Sequence, residues 1–168
     1  MKIIKFGGTS LGTPERMKKV ARLVEKENAI VVLSAVSGTT NSLTDIVHLL
    51  YKNEIESAKN EIQKLKLHYV EYVEKLLNSK LQLNKSNELI NNHFNYIYSF
   101  TEDLFTIHEE KTILAQGELL STALFQFYLE EIQVKSCLIS ALDFMRIDKD
   151  LEPDSFYIQH NLQRELKG

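Results

Sequence analysis

Cysteine is nearly absent from this 168-residue chain: Cys137 is the single one, so neither an internal disulfide nor a cysteine-built zinc site can form. That pattern fits a reducing compartment, and the apolar run around Cys137 predicts a small core residue. Proline is scarce as well. With only two prolines, no repeats and no Pro/Gly-rich linker, the sequence offers no internal domain boundary, and its length suits one domain or one piece of a larger one. An excess of basic residues is also missing. A formal net charge of −3, with acids and bases intermixed, leaves no electrostatic footprint for a nucleic-acid partner. Long apolar runs are lacking too, the longest aliphatic one being Ala29 to Leu33, far short of a membrane span. The opening "MKIIKFGG" has no signal-peptide core, so a cytoplasmic protein with no membrane partner is expected.

What the chain does contain is concentrated in three places. The first is "IIKFGGTSLGTPER", Ile3 to Arg16, a short apolar strand running into Gly7-Gly8-Thr9-Ser10. Neither common phosphate-loop pattern fits it. Gly7 and Gly12 have the Walker spacing, but Thr13 stands where lysine should be, and adjacent glycines break the dinucleotide fingerprint. Two readings stay open. Backbone N–H groups of the glycines, the hydroxyls of Thr9 and Ser10, and the charge of Lys5 could cradle an anion. Alternatively this is an ordinary Gly-Gly turn with Lys5 in solvent.

Thr13-Pro14-Glu15 predicts a helix start: a hydroxyl cap, proline at the first helical position, and an acid at the positive end of the dipole. Met17, Val20, Ala21 and Val24 continue it at helical spacing. "AIVVLS" then reads as a strand buried on both faces, completing a β-α-β unit and implying a parallel sheet. A third run, "VKSCLISA" from Val134 to Ala141, is expected to join that sheet. Between them Ile55, Ala58, Ile62, Leu65, Tyr69, Val73 and Leu76 form one apolar stripe, and Ile90, His93, Ile97, Phe100, Leu104 and Ile107 a second. An antiparallel helical hairpin follows, with its turn expected over Asn78 to Asn87 and with His93 and Tyr69 as packing residues.

The second place is "LSAVSGTTN", Leu33 to Asn41. In an open parallel sheet, ligands bind beyond the carboxyl ends of strands, so this loop and the first could share a crevice. Its hydroxyls could hold a polar small molecule, or Thr39, Thr40 or Asn41 could simply cap the next helix. The third place is "ILAQGELLSTALFQFYL", an apolar helix carrying Glu118. An acid in such surroundings needs a partner, which a ligand ammonium group would supply; the other reading leaves Glu118 facing solvent.

Taken together, "KFGGTS", "LSAVSGTTN" and "QGELLSTALF", in that order and separation, resemble the aspartate kinases of the amino acid kinase family; "FMRIDKDLEPD", Phe144 to Asp154, is similar to the segment after their third strand. The resemblance covers essentially the whole chain. It implies an α/β protein, part of the three-layer αβα amino acid kinase (carbamate kinase-like) fold, with a mostly parallel sheet and a helical hairpin insertion at about 53–110. The implied reaction takes ATP, with Mg2+, and L-aspartate to 4-phospho-L-aspartate. Lys5 would be the catalytic cation. Gly7, Gly8, Thr9, Ser10 and Ala35 would line the phosphates, while Ser34, Thr40 and Glu118 would hold aspartate, with no protein metal ligand evident.

The same resemblance implies a homo-oligomer in the whole enzyme and places residues 1–168 in the amino-terminal part of a catalytic domain. The family's later glycine-rich segment, nucleotide-base subsite and ACT regulatory domains are not in this sequence. Little or no kinase activity is therefore expected of the 168 residues alone. Glutamate 5-kinase, acetylglutamate kinase and uridylate kinase share the Gly-Gly loop and are the nearest alternatives. A non-catalytic module, using the hairpin as an interface, is the alternative of a different class.

Overall fold

The computed structural model describes residues 2–102, 104–150 and 152–166, which fall into two compact units, residues 1–136 and 137–168. The first unit opens with strand β1 (Lys2–Phe6), a single 3-10 turn (Gly8–Leu11) and helix α1 (Pro14–Val24). Helix α1 begins as its sequence demands. Thr13 is extended and its hydroxyl accepts from the Arg16 N–H at 3.3 Å, Pro14 takes the first position, and Met17, Val20, Ala21 and Val24 are buried.

Strand β2 (Ala29–Leu33) pairs parallel with β1, Lys2 opposite Ala29 through Phe6 opposite Leu33. Ile4, Phe6, Val31 and Leu33 face the core. The opposite face is open: Ile3 is 74% exposed and Val32 43%, so β2 is covered on one side and not the expected two. No third strand joins them among the described residues. Val134–Ser140 has no regular structure, and Cys137, expected in the core, is exposed. An apolar run becomes a strand only where a neighbour offers a ladder, and here it has none.

Four long helices complete this unit: α2 (Thr39–Tyr51), α3 (Ile55–Leu76), α4 (Lys80–Ser99) and α5 (Ile107–Glu131). The α3 stripe is buried from Ala58 to Leu76 as its periodicity requires. Its turn into α4 is shorter than expected, because Lys80 to Asn87 are helical, with Gln82 and Ser86 on the buried face. The second stripe also ends early. Phe100 closes α4, Leu104 is 91% exposed, and Ile107 starts α5 behind a capping box of Thr106 and Glu109.

The second unit holds two short helices, α6 (Ala141–Phe144) and α7 (Ser155–Glu165), with an antiparallel bridge between Ile147 and Pro153. Asp154 caps α7 by accepting from the Tyr157 N–H at 3.0 Å. Arg146 pairs with the same carboxylate and lies over the Tyr157 ring, 4.0 Å from its centre. No helix among the described residues is long and apolar enough to cross a membrane.

Candidate functional site

The two loops leaving β1 and β2 lie against each other, and α5 fastens one of them. Ser34 continues the ladder by donating its N–H to the Phe6 carbonyl at 3.1 Å. The next peptide unit is held at both ends. Its carbonyl, on Ser34, accepts from Ser121 Oγ at 2.8 Å, and its N–H, on Ala35, donates to Glu118 Oε1 at 3.2 Å. Residues 118 and 121 are three apart, so they share one face of α5.

Close packing makes this arrangement possible. A Cβ on Gly8 would stand 2.8 Å from the Ala35 carbonyl oxygen, so the first loop can approach the second only as glycine. Gly117 plays the same part on α5, where a Cβ would meet the Ala35 Cβ at 2.8 Å and the Thr39 Cγ2 at 3.1 Å. Gly8, Ser34, Ala35 and Glu118 are thus neighbours, although they come from three distant stretches. Glu118 is exposed, as the solvent-facing reading of this helix had it, and its carboxylate has one oxygen on Ala35 with further lone pairs open to a ligand.

The remaining sequence candidates surround this cluster. Lys5 is exposed on the open face of β1, in register with Val32, and makes no hydrogen bond or ion pair among the described residues. Gly7 is exposed at the start of the 3-10 turn, and its carbonyl accepts from the Ser10 N–H at 2.9 Å. The Thr9 carbonyl accepts from Arg16 at 2.9 Å, so α1 braces the loop from outside. Thr40 is exposed in the first turn of α2. The hydroxyl-cap reading of this loop fails: Gly38, with φ of +89°, occupies the cap position and no side chain caps α2. Thr39 turns inward to Tyr69 instead, its Oγ1 2.8 Å from the phenol oxygen.

Two further residues emerge that composition and spacing had marked only as packing, or not at all. Tyr69 is fully buried, and its phenol is pushed well above the usual range by burial, with the Glu118 charge adding to it and the Thr39 bond opposing. Tyr72 donates to the Leu11 carbonyl at 2.7 Å and is likewise pushed up by burial. A groove of about 690 Å³ runs along the start of α2 and the outer side of α3, lined by Ser37, Thr39, Ser42, Lys64, His68 and others. Neither Lys5, Gly8, Ala35 nor Glu118 lines it.

The parallel β-α-β unit thus brings two strand-end loops together at a helix-borne carboxylate, in the region beyond the strands where open α/β sheets bind their ligands. The chain belongs to the amino acid kinase family, whose model matches residues 1–166. Aspartokinase 1, chloroplastic, of Arabidopsis thaliana is 28% identical over 156 residues, which cover 88% of this chain and 26% of that protein. An aspartokinase of Chlamydia trachomatis is 29% identical, over 89% of this chain and 34% of its own length. The chain therefore spans about a quarter to a third of these curated relatives. Among solved structures, E. coli aspartokinase III in complex with aspartate and ADP superposes with a TM-score of 0.78 at 24% identity, covering 99% of this chain and 37% of that one. That likeness establishes the fold.

Proposed function

We propose that this site serves phosphoryl transfer from ATP to the β-carboxylate of L-aspartate, giving 4-phospho-L-aspartate, the first step of lysine, threonine and methionine biosynthesis. One observation carries the reading: the Glu118 carboxylate takes the Ala35 N–H while the Ala35 carbonyl packs against Gly8, so an acid able to pair with an ammonium group and a glycine turn able to cradle an anion meet at one residue. Support comes from relatives that are themselves named aspartokinases and from a structural neighbour holding aspartate and ADP.

The chemistry asks little of the protein beyond placement and charge. A carboxylate with a pKa of about 3.9 is already ionised at neutral pH, so no general base is required. Its oxygen bonds to the γ-phosphorus as the bond to the bridging oxygen breaks and ADP leaves. Lys5 would neutralise charge on the transferred group, with Gly7, Gly8, Thr9 and Ser10 donating to phosphate oxygens and Ala35 walling that subsite. Thr40 and Ser34 would contact aspartate, and Glu118 its ammonium group. Among the described residues no group of three His, Cys, Asp or Glu is placed to hold a metal ion, and Mg2+ would arrive on the nucleotide's phosphates.

Residues 1–168 would form the amino-terminal part of the catalytic domain, with a helical insertion near 53–110. A cytoplasmic, homo-oligomeric enzyme belongs to the same proposal. The test is ATP-dependent trapping of the acyl phosphate with hydroxylamine, offering L-aspartate, L-glutamate and N-acetylglutamate. It should be run on the 168 residues and on the protein translated to the end of its reading frame. The expected result is hydroxamate from L-aspartate alone, made by the protein translated to the end of its reading frame and reduced at least about a hundredfold by Lys5→Ala. Product from either glutamate compound but not aspartate would overturn the choice of substrate, and no product at all would overturn the reaction.

A further inference from the structure

Helix α3 touches both loops of the site through the hydroxyls of two tyrosines. Tyr69 and Tyr72 are three residues apart, hence on one face, and both are buried. The Tyr72 hydroxyl donates to the carbonyl of Leu11, the last residue of the 3-10 turn that begins at Gly8. The Tyr69 hydroxyl is 2.8 Å from Thr39 Oγ1, on the residue immediately before Thr40. Thr39 is wedged from the other side by Gly117, beside Glu118. Tyr69 is backed by Phe94 of α4, the ring centres 5.8 Å apart, so the hairpin's own core fixes where its hydroxyl stands.

We propose that Tyr69 and Tyr72 are positioning residues, Tyr72 setting the phosphate loop and Tyr69 setting the acceptor side at Thr40, so that α3 gauges the two subsites against one rigid rod. This rests on the reading of the site given above. Burial keeps both hydroxyls protonated across the physiological range and out of reach of a substrate, so neither is a catalytic residue. Each removal by Phe keeps the ring and its packing while leaving one buried oxygen without its phenol partner. The two effects are separable because the bonds run to different loops.

The test uses Tyr72→Phe and Tyr69→Phe in the protein translated to the end of its reading frame. Tyr72→Phe should raise KM for ATP about tenfold and leave KM for aspartate within about twofold; Tyr69→Phe should do the reverse. In the 168-residue chain, amide hydrogen exchange should quicken at residues 8–12 in the first variant and at 36–42 in the second. Thr39→Val should reproduce Tyr69→Phe, and the double variant should be no worse than either single one. Equal changes in both KM values, a fall in kcat alone, or exchange that quickens in both loops alike would overturn the inference. If the unaltered protein makes no aspartyl phosphate, the reaction assigned above fails, and the exchange pattern still decides whether each phenol holds its own loop.

Discussion

Glu118 and Ser121, one turn apart on α5, hold opposite ends of a single peptide unit: Ser121 donates to the Ser34 carbonyl and Glu118 accepts from the Ala35 N–H. A peptide plane fastened at both its polar ends cannot rotate about the strand axis. The loop after β2 is therefore oriented by α5 before any ligand arrives.

The hydrogen bond of Glu118 to Ala35 and its proposed hold on the substrate ammonium are separable, and two substitutions divide them. Glu118→Gln keeps an oxygen for the Ala35 N–H but removes the charge, so stability should change by less than about 0.5 kcal/mol. Aspartate affinity, measured by calorimetry, should still fall at least about tenfold. Glu118→Ala should add a stability loss of about 1 kcal/mol, below the usual range for a charged hydrogen bond because the carboxylate is exposed. Unchanged aspartate binding in Glu118→Gln would remove this residue from the substrate site.

At Gly117 helix propensity and packing pull in opposite directions. Alanine is favoured over glycine inside a helix by about 1 kcal/mol. Its Cβ would stand 2.8 Å from the Ala35 Cβ, a backbone-borne atom that cannot swing aside, and such overpacking costs about 1–3 kcal/mol. Gly117→Ala should therefore lower stability by about 1 kcal/mol in urea unfolding. A stabilised variant would show that α5 and the loop can move apart.

The start of α4 depends on an acid from another helix. Ser79 offers no side-chain cap, and the Glu131 carboxylate accepts instead from the N–H groups of Asn78 and Ser79, the latter at 2.8 Å. Glu131→Ala should cost about 1–2 kcal/mol in urea unfolding, as loss of a capping group does. A loss under about 0.3 kcal/mol would mean that water replaces the carboxylate.

His93 links stability to pH. Gln116 Nε2 donates to the Thr112 carbonyl, which turns Gln116 Oε1 toward His93 Nδ1 at 2.6 Å and fixes the neutral ring as its Nδ1–H tautomer. Burial, only partly offset by that hydrogen bond, holds the imidazole below its ordinary pKa. The unfolded chain then takes up a proton first as pH falls past about 6.5. The contribution is complete above that pH and is lost progressively toward the lower folded value. Urea midpoints between pH 7.5 and 5 should decline in the parent and decline less in His93→Leu; equal slopes would assign the effect elsewhere.

Much of this was legible in the residues, and the exceptions share a physical cause. Thr13-Pro14-Glu15 and the α3 stripe are local signals, and both elements stand where those signals put them. The start of α4 was hidden because Gln82 and Ser86, both polar, occupy its buried face. Leu104 and Ile107 continue the helical period only by coincidence, across the connection between α4 and α5. Val134–Ser140 has a strand's composition, but pairing is decided by a neighbour that composition does not reveal. The partners of Tyr69, Tyr72 and Ser121 were invisible for the same reason: each hydroxyl bonds a group 30 to 87 positions away.

That separation also dictates an order of assembly. The α3–α4 hairpin is made of near neighbours in the chain and can close early at little entropic cost. The Ser34–Ala35 peptide waits more than eighty residues for Glu118 and Ser121. During synthesis the loop after β1 and its helical backing therefore exist for a time without the clamp that aims the second loop. A chain emerging from the ribosome gains its scaffold first and its ligand geometry only once α5 has been made.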